Sequence, residues 1–232
     1  MAQEQEQQLD FSTILASTIH DMKNSLGMVL NSLEEIVDSE SGECRCSGDQ
    51  VAKLQYEAKR VNSNLIQLLT LYKLEHQQVS ANINEYSVAD FLEECLLQAK
   101  PILAFRDIEA EIDCPEDLYG YFDRDLVAGV LNNALDNAIR YTKSRLRLVA
   151  EVEDGGLVLG VEDDGAGFPG SMLIAGNDPA ANQVSFASGR TGLGLYFSSL
   201  VAAMHRNRSR AGYIELTNGG ALGGGRFVIH IP

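Results

Sequence analysis

Four short stretches of the chain combine residue types at spacings that serve phosphate and nucleotide chemistry. The first is His20-Asp21-Met22-Lys23-Asn24. On a helix His20 and Asn24, four residues apart, share one face beside an apolar seam. A neutral imidazole on a rigid rod is a nitrogen nucleophile, and a carboxylate close by can orient it and take its proton. Asp21 is the candidate for that base, although neighbouring helical residues point about 100° apart and its side chain must reach round. The second stretch is Asn133-Ala134-Leu135-Asp136-Asn137-Ala138-Ile139-Arg140-Tyr141. Asn133, Asn137 and Arg140 fall at i, i+4 and i+7 and line one helix face. They offer neutral oxygens to Mg2+ and a guanidinium to phosphate, and Tyr141 offers a ring on which a base can stack. Asparagine is a poor helix former, so a helix that uses it twice on one stripe invites a functional explanation.

The other two stretches are rich in glycine. Asp163-Asp164-Gly165-Ala166-Gly167-Phe168-Pro169 directly follows the apolar run Leu157–Val161. Gly165 and Gly167 permit a tight turn and close approach of backbone to a flat ligand. A carboxylate at the strand end, Asp163, can accept an exocyclic amino group such as that of adenine. Gly189-Arg190-Thr191-Gly192-Leu193-Gly194-Leu195 opens into a helix, where unpaired amides attract anions and glycine lets a phosphate come close. It lacks a Gly-Lys-Ser/Thr ending, and no strand leads into a GxGxxG, so the commonest nucleotide loops do not fit.

Two kinds of scaffold must hold these stretches. Leu15, Ile19, Met22, Leu26, Val29, Leu33 and Ile36 repeat at heptad spacing, as do Val51, Leu54, Ala58, Val61, Leu65, Leu68 and Tyr72. No proline interrupts residues 1–100, and the turn formers of Ser39–Asp49 separate the two seams. The pair therefore predicts an antiparallel helical hairpin, which buries its stripe most economically in a homodimeric four-helix bundle. The second half changes period. Helices are expected over Val88–Ala99, Leu126–Tyr141 and Leu193–Met204. Strands are expected over Ile108–Ile112, Leu118–Phe122, Leu146–Val152, Leu157–Val161, Tyr213–Thr217 and Arg226–Ile231, with a hairpin about Asp154-Gly155-Gly156. Such interleaving predicts a mixed sheet with helices on one face. The domains expected are 1–80 (helical hairpin), 81–87 (linker and hinge) and 88–232 (α/β domain).

Composition narrows the partners. The 232 residues carry 18 basic and 33 acidic side chains, a net charge of −15, which disfavours nucleic acid and anionic lipid as main partners. No apolar run approaches the roughly 20 residues needed to span a bilayer, and the first ten residues do not resemble a signal peptide. With only four cysteines, a reducing cytoplasm is the expected compartment, and sensing is expected from another chain or a segment outside this one. Cys44 and Cys46 at the hairpin tip are read as exposed loop thiols, with zinc bound between two protomers as the alternative. Cys95 and Cys114 are read as small buried hydrophobes, and His76, His205 and His230 as structural.

In order and spacing the four stretches resemble the catalytic core of two-component sensor histidine kinases. His20–Asn24 resembles the H-box, Asn133–Thr142 the N-box, Asp163–Gly167 the DxGxG box and Gly192-Leu193-Gly194-Leu195 the GLGL box. The resemblance covers residues 10–232. It implies a dimerisation and histidine-phosphotransfer bundle followed by a GHKL-type ATP-binding α/β sandwich. His20 would accept the phosphoryl group from ATP with Asp21 as base, and Asn24 would position water for dephosphorylation of the partner. Asn137 and Asn133 would serve Mg2+ and phosphates, Arg140 a phosphate, Tyr141 the adenine ring and Asp163 its amino group. Gly165, Gly167, Gly192, Leu193 and Gly194 would shape the cleft and its lid. The partner implied is a response-regulator receiver domain with an acceptor aspartate. The alternative is a phosphotransfer or phosphatase module that uses the ATPase-like domain as a docking scaffold. Three positions depart from the family pattern. Ser25 stands where proline is common. Gly170–Ser188 is a short lid in which Phe186 is at best a remnant of the phenylalanine box. Arg190 occupies the first glycine position of GxGLGL and is the candidate for the γ-phosphate arginine.

Overall fold

The structure, a computed structural model, describes residues 24, 26–29, 48–75, 80–170, 172–173 and 192–232. The chain divides into two compact units, Met1–His76 with Phe186–Leu193, and Gln77–Ser185 with Gly194–Pro232.

In the first unit residues 24 and 26–29 are helical, and α1 spans Gly48–Glu75 with Lys73 in its last turn, where a cation complements the helix dipole. Leu71, Gln67 and Glu57 are buried, and Glu57 pairs with Arg60 at 3.1 Å. The apolar seam is only partly covered within one chain. Leu54, Val61 and Leu68 are half-buried, whereas Ala58, Leu65 and Tyr72 are exposed together with Ile66 and Leu69. His20, Asp21, the rest of the first heptad seam and Cys44 and Cys46 lie outside the described residues.

The second unit begins with β1 (Asn84–Ser87) and α2 (Val88–Phe105). Ser87 caps α2 by accepting a hydrogen bond from the Asp90 amide at 3.3 Å. The helix runs past the expected end at Ala99 and through Pro101. Proline there removes one backbone bond, but Ile102 and Leu103 beyond it are 6% and 5% exposed, and their burial offsets the loss. β1, whose four residues the sequence reading placed in the linker, pairs antiparallel with β3 (Tyr119–Phe122), which follows β2 (Glu109–Asp113). Phe122 is fully buried against Tyr86 and Phe91, with ring centroids 5.4 and 4.9 Å away.

α3 (Arg124–Tyr141) is capped by Asp123, whose Oδ1 accepts from the Leu126 amide at 3.0 Å. Its apolar stripe, Val127, Val130, Leu131, Ala134, Leu135, Ala138 and Ile139, is buried. Next come β4 (Arg145–Glu153), β5 (Gly156–Asp163), α4 (Gly192–Met204), the short ribbon β6 (Arg206–Asn207) and β7 (Arg210–Ala211), then β8 (Tyr213–Asn218) and β9 (Gly225–Ile231). The five-stranded sheet has the order β2-β4-β5-β9-β8, with β2 and β4 parallel and the other pairs antiparallel. The β4–β5 turn consists of Asp154 and Gly155 at φ 50° and 75°, the two-residue form whose twist suits a hairpin. Leu146, Leu148, Leu159, Val161, Phe227, Ile229 and Leu216 share one sheet face by register and are buried. The helices α2 and α3 pack on this sheet through β2 and β5.

Two sequence readings change in detail. Cys95 is buried, and burial pushes its thiol up to about 11, but Cys114 is only half-buried. His230 is not isolated from carboxylates, since Glu215 and Glu153 come within 3.4 and 3.9 Å and Tyr213 stacks on its ring. His205 is structural and buried. Its Nδ1 donates to the Val201 carbonyl at 2.8 Å, and its Nε2 accepts from the Asp123 amide at 3.0 Å. Burial pushes its pKa down, against the opposing pull of Val201 and Asp123. The unfolded chain therefore takes up a proton near the ordinary imidazole pKa of about 6.5 that the folded chain resists, so this contribution to stability is complete above that pH and is lost as pH falls below it. The wild-type urea midpoint is expected to drop between pH 7.5 and pH 5.5 by more than that of His205→Gln; equal drops in both proteins would refute this assignment.

Candidate functional site

The site is assembled from one helix face and three loops of the second unit. On α3, Asn133 and Asn137 are half-buried and Arg140 is exposed, while the opposite stripe is pinned in the core. The helix thus cannot roll, and its polar stripe faces outward in a defined direction. Tyr141 ends the helix and is 59% exposed. Gly194 of α4, in the same unit, lies against the polar stripe. A Cβ on Gly194 would overlap the Asn133 carboxamide, so glycine is what allows backbone and side chain to meet there. The Ser198 hydroxyl donates to the Gly194 carbonyl at 2.8 Å and braces that turn. Gly192 is the first residue of α4 and Leu193 is buried. Gly194→Ala must push Asn133 aside, and ATP affinity is expected to fall about tenfold by calorimetry, with no change if Asn133 plays no part.

Asp163 ends β5 at 8% exposure. Its Oδ1 accepts from the amides of Gly165 at 2.7 Å and Gly225 at 3.3 Å, and its carbonyl accepts from Gly224 at 3.0 Å. Oδ2 receives no hydrogen bond among the described residues. One oxygen is locked by backbone donors and the other is left for a ligand donor, an arrangement suited to an amino group. The neighbouring Asp164 has a different task. It accepts from the Thr142 hydroxyl at 2.6 Å, the Lys143 amide at 2.8 Å, and the Ser144 amide and hydroxyl at 3.0 and 2.9 Å. Burial alone would raise its pKa, but the bonds from Thr142 and Ser144 outweigh that and hold the carboxyl well below the usual range.

The sequence reading missed several residues that shape this site. Residues 219–225, the β8–β9 loop and the first residue of β9, contain five glycines, and the loop folds over Asp163. Gly224 has no room for a Cβ beside Asp163 and Gly165. Glu162, on the opposite sheet face, accepts from the Ala221 amide at 3.2 Å and pairs with Arg226 at 3.1 Å, which secures the same loop. Asn218 clasps the backbone of Phe168, accepting from its amide at 2.7 Å and donating to its carbonyl at 2.9 Å. Gly167, at φ 79°, lies tight against that carboxamide. The glycine density of 219–225 was the available signal; the partners of Asp164 and Asn218 carried none. Of the expected residues, the structure brings Asn133 to Gly194, and Asp163 to Gly165. Asn24 is helical and exposed. His20, Asp21, Gly189, Arg190 and Phe186 lie outside the described residues.

A mixed five-stranded sheet under helices, an asparagine stripe and a strand-end aspartate cradled by glycines define a GHKL-type ATPase domain. Residues 122–232 match the family model described as Histidine kinase-, DNA gyrase B-, and HSP90-like ATPase. Among curated proteins, the sensor histidine kinase CssS of Bacillus subtilis (strain 168) is 24% identical over 199 residues, which cover 84% of this chain and 42% of that protein. Among solved structures, the histidine kinase AdeS of Acinetobacter baumannii matches with a TM-score of 0.61 at 23% identity, covering 91% of this chain and 96% of the other. The histidine kinase ThkA in complex with the response regulator protein TrrA matches with a TM-score of 0.64 at 15% identity, covering 98% and 63%. Residues 122–232 thus carry an ATPase domain of the histidine kinase, DNA gyrase B and HSP90-like kind, and the curated relative CssS is a sensor histidine kinase. The chain spans 33–42% of the length of the curated relatives it matches. No helix among the described residues is long and apolar enough to cross a membrane.

Proposed function

We propose that the chain is an ATP-dependent protein histidine kinase that phosphorylates its own His20 and passes the group to an aspartate of a response-regulator receiver domain. The observation that carries this reading is the Asp163 carboxylate, with Oδ1 held by the Gly165 and Gly225 amides and Oδ2 left for the adenine amino group. The stripe of Asn133 and Asn137 supports the phosphate end. Their neutral oxygens suit Mg2+ that keeps waters and phosphates as its other ligands; when bound, that ion would neutralise charge on the phosphates. Arg140 would pair with a phosphate oxygen, Tyr141 would lie along the purine, and Gly165, Gly167, Gly192, Leu193 and Gly194 would allow close approach of the backbone. In the transfer the bond between the γ-phosphorus and the bridging oxygen breaks, ADP leaves with that electron pair, and an imidazole nitrogen of His20 forms the new bond. Positioning and charge neutralisation do most of the work in such a step. Asp21 would hold the ring neutral and oriented, and Asn24 would set a water that hydrolyses the partner's phosphoaspartate to aspartate and inorganic phosphate.

The reading extends to assembly. The exposed Leu65, Leu69 and Tyr72 on α1 support a homodimeric four-helix bundle, with residues 1–80 as dimerisation unit, 81–87 as linker and 88–232 as ATP-binding domain. The ThkA–TrrA neighbour supports a response regulator as partner, and an upstream sensor segment or protein would supply the stimulus in the cytoplasm. The test is incubation of the protein with γ-labelled ATP and Mg2+. Label that is stable to base and lost in acid is expected. ATP binding without label would replace this reading with a phosphotransfer or phosphatase module.

A further inference from the structure

The nucleotide reading gives no task to Asp164, which collects more hydrogen bonds than any other side chain in the site. Its two oxygens take the Thr142 hydroxyl, the Lys143 amide, and both the amide and the hydroxyl of Ser144. Its own amide donates to the Arg145 carbonyl at 3.2 Å. These partners form the turn that joins the end of α3 to β4. The residue just before that turn is Tyr141, whose carbonyl lies so close to Gly165 that no side chain fits between them. Gly165 in turn donates its amide to Asp163 Oδ1 at 2.7 Å.

A continuous path therefore runs from Asp164 through residues 142–144 and Tyr141 to Gly165 and on to Asp163. The same turn anchors the end of α3, whose Asn137 lies one helical turn before Tyr141. We infer that Asp164 is a positioning residue that sets the orientation of the Asp163 carboxylate relative to α3, and through it the choice of a 6-amino over a 6-oxo purine. This rests on the nucleotide reading above. Asp164 touches no part of the ligand in this scheme. It fixes the register between the end of the site that takes the base and the end that takes the phosphates.

A tether that only stabilised the fold would weaken every nucleotide equally when cut. A tether that orients Asp163 weakens ATP more than ITP, because at the 6-position aligned with Oδ2 ATP presents a donor and ITP an acceptor. Calorimetric titration of ATP and ITP with Mg2+ into the full chain distinguishes the two. Wild type is expected to favour ATP, and Asp164→Ala to lower the ATP-to-ITP affinity ratio about tenfold. Asp164→Asn, which keeps one acceptor oxygen for Thr142 and the turn amides, is expected to restore part of the ratio. Thr142→Val removes one hydroxyl, which reaches both Asp164 and the Arg145 carbonyl, and serves if Asp164→Ala does not fold; it should lower the ratio in the same direction. Parallel loss of ATP and ITP, or an unchanged ratio in folded Asp164→Ala or in Thr142→Val, overturns the assignment. Wild type that binds neither nucleotide overturns the nucleotide reading itself, a result distinct from a selective wild type whose variants keep their selectivity.

Discussion

His20→Gln protein, given γ-labelled ATP and Mg2+, is expected to carry no acid-labile label, against clear labelling of wild type. Glutamine matches histidine in length and helix compatibility, but its amide nitrogen shares its lone pair with the carbonyl and cannot attack phosphorus. The step needs a nucleophile held in line with the γ-phosphate, and no amount of charge neutralisation replaces it. ATP affinity should be unchanged, because Asn133, Asn137 and Asp163 belong to the second unit. Asp21→Asn should retain labelling at a rate lowered by roughly two to four orders of magnitude, the usual contribution of a positioned base. Label on His20→Gln at the wild-type level would move the acceptor elsewhere and remove the main ground for calling the hairpin a phosphotransfer unit.

Asp163→Asn is expected to weaken ATP binding about a hundredfold while leaving the fold intact. The side chain keeps its shape, and its remaining oxygen can still serve the Gly165 and Gly225 amides. The amide nitrogen then faces the purine, and donor meets donor. Leaving such groups unpaired at a nearly buried position costs about 1–3 kcal/mol, more where a charged acceptor is lost. ITP, whose 6-oxo group accepts, should lose less or gain. A variant that binds ATP as wild type does would mean that Asp163 does not read the base. This outcome differs from that expected of Asp164→Ala, which blurs selectivity without inverting it.

The limits of the sequence reading follow from the range over which each feature is decided. α3 was legible because its apolar and polar stripes both repeat at helical spacing, and β4–β5 because the turn between them is local. β1 was not, since Asn84-Glu85-Tyr86-Ser87 has one strongly apolar residue and becomes a strand only through β3, more than thirty positions away. The parallel pairing of β2 with β4 is equally non-local. Pro101 suggested nothing about a continuing helix because the burial of Ile102 and Leu103 is a tertiary fact. In the site, Asp163 stood out as a carboxylate at a strand end before glycines. Asp164 looked like a spacer within the motif, and its partners lie some twenty residues back. Asn218 reaches fifty residues to Phe168, a distance at which spacing carries no signal.

The hairpin turn at Asp154 and Gly155 closes β5 at the end opposite Asp163. Seven residue-to-residue steps along the strand separate Gly156 from Asp163, or about 23 Å at the usual rise. A fluorophore grafted there would ride on the rigid sheet and report on the domain's tumbling without crowding the cleft.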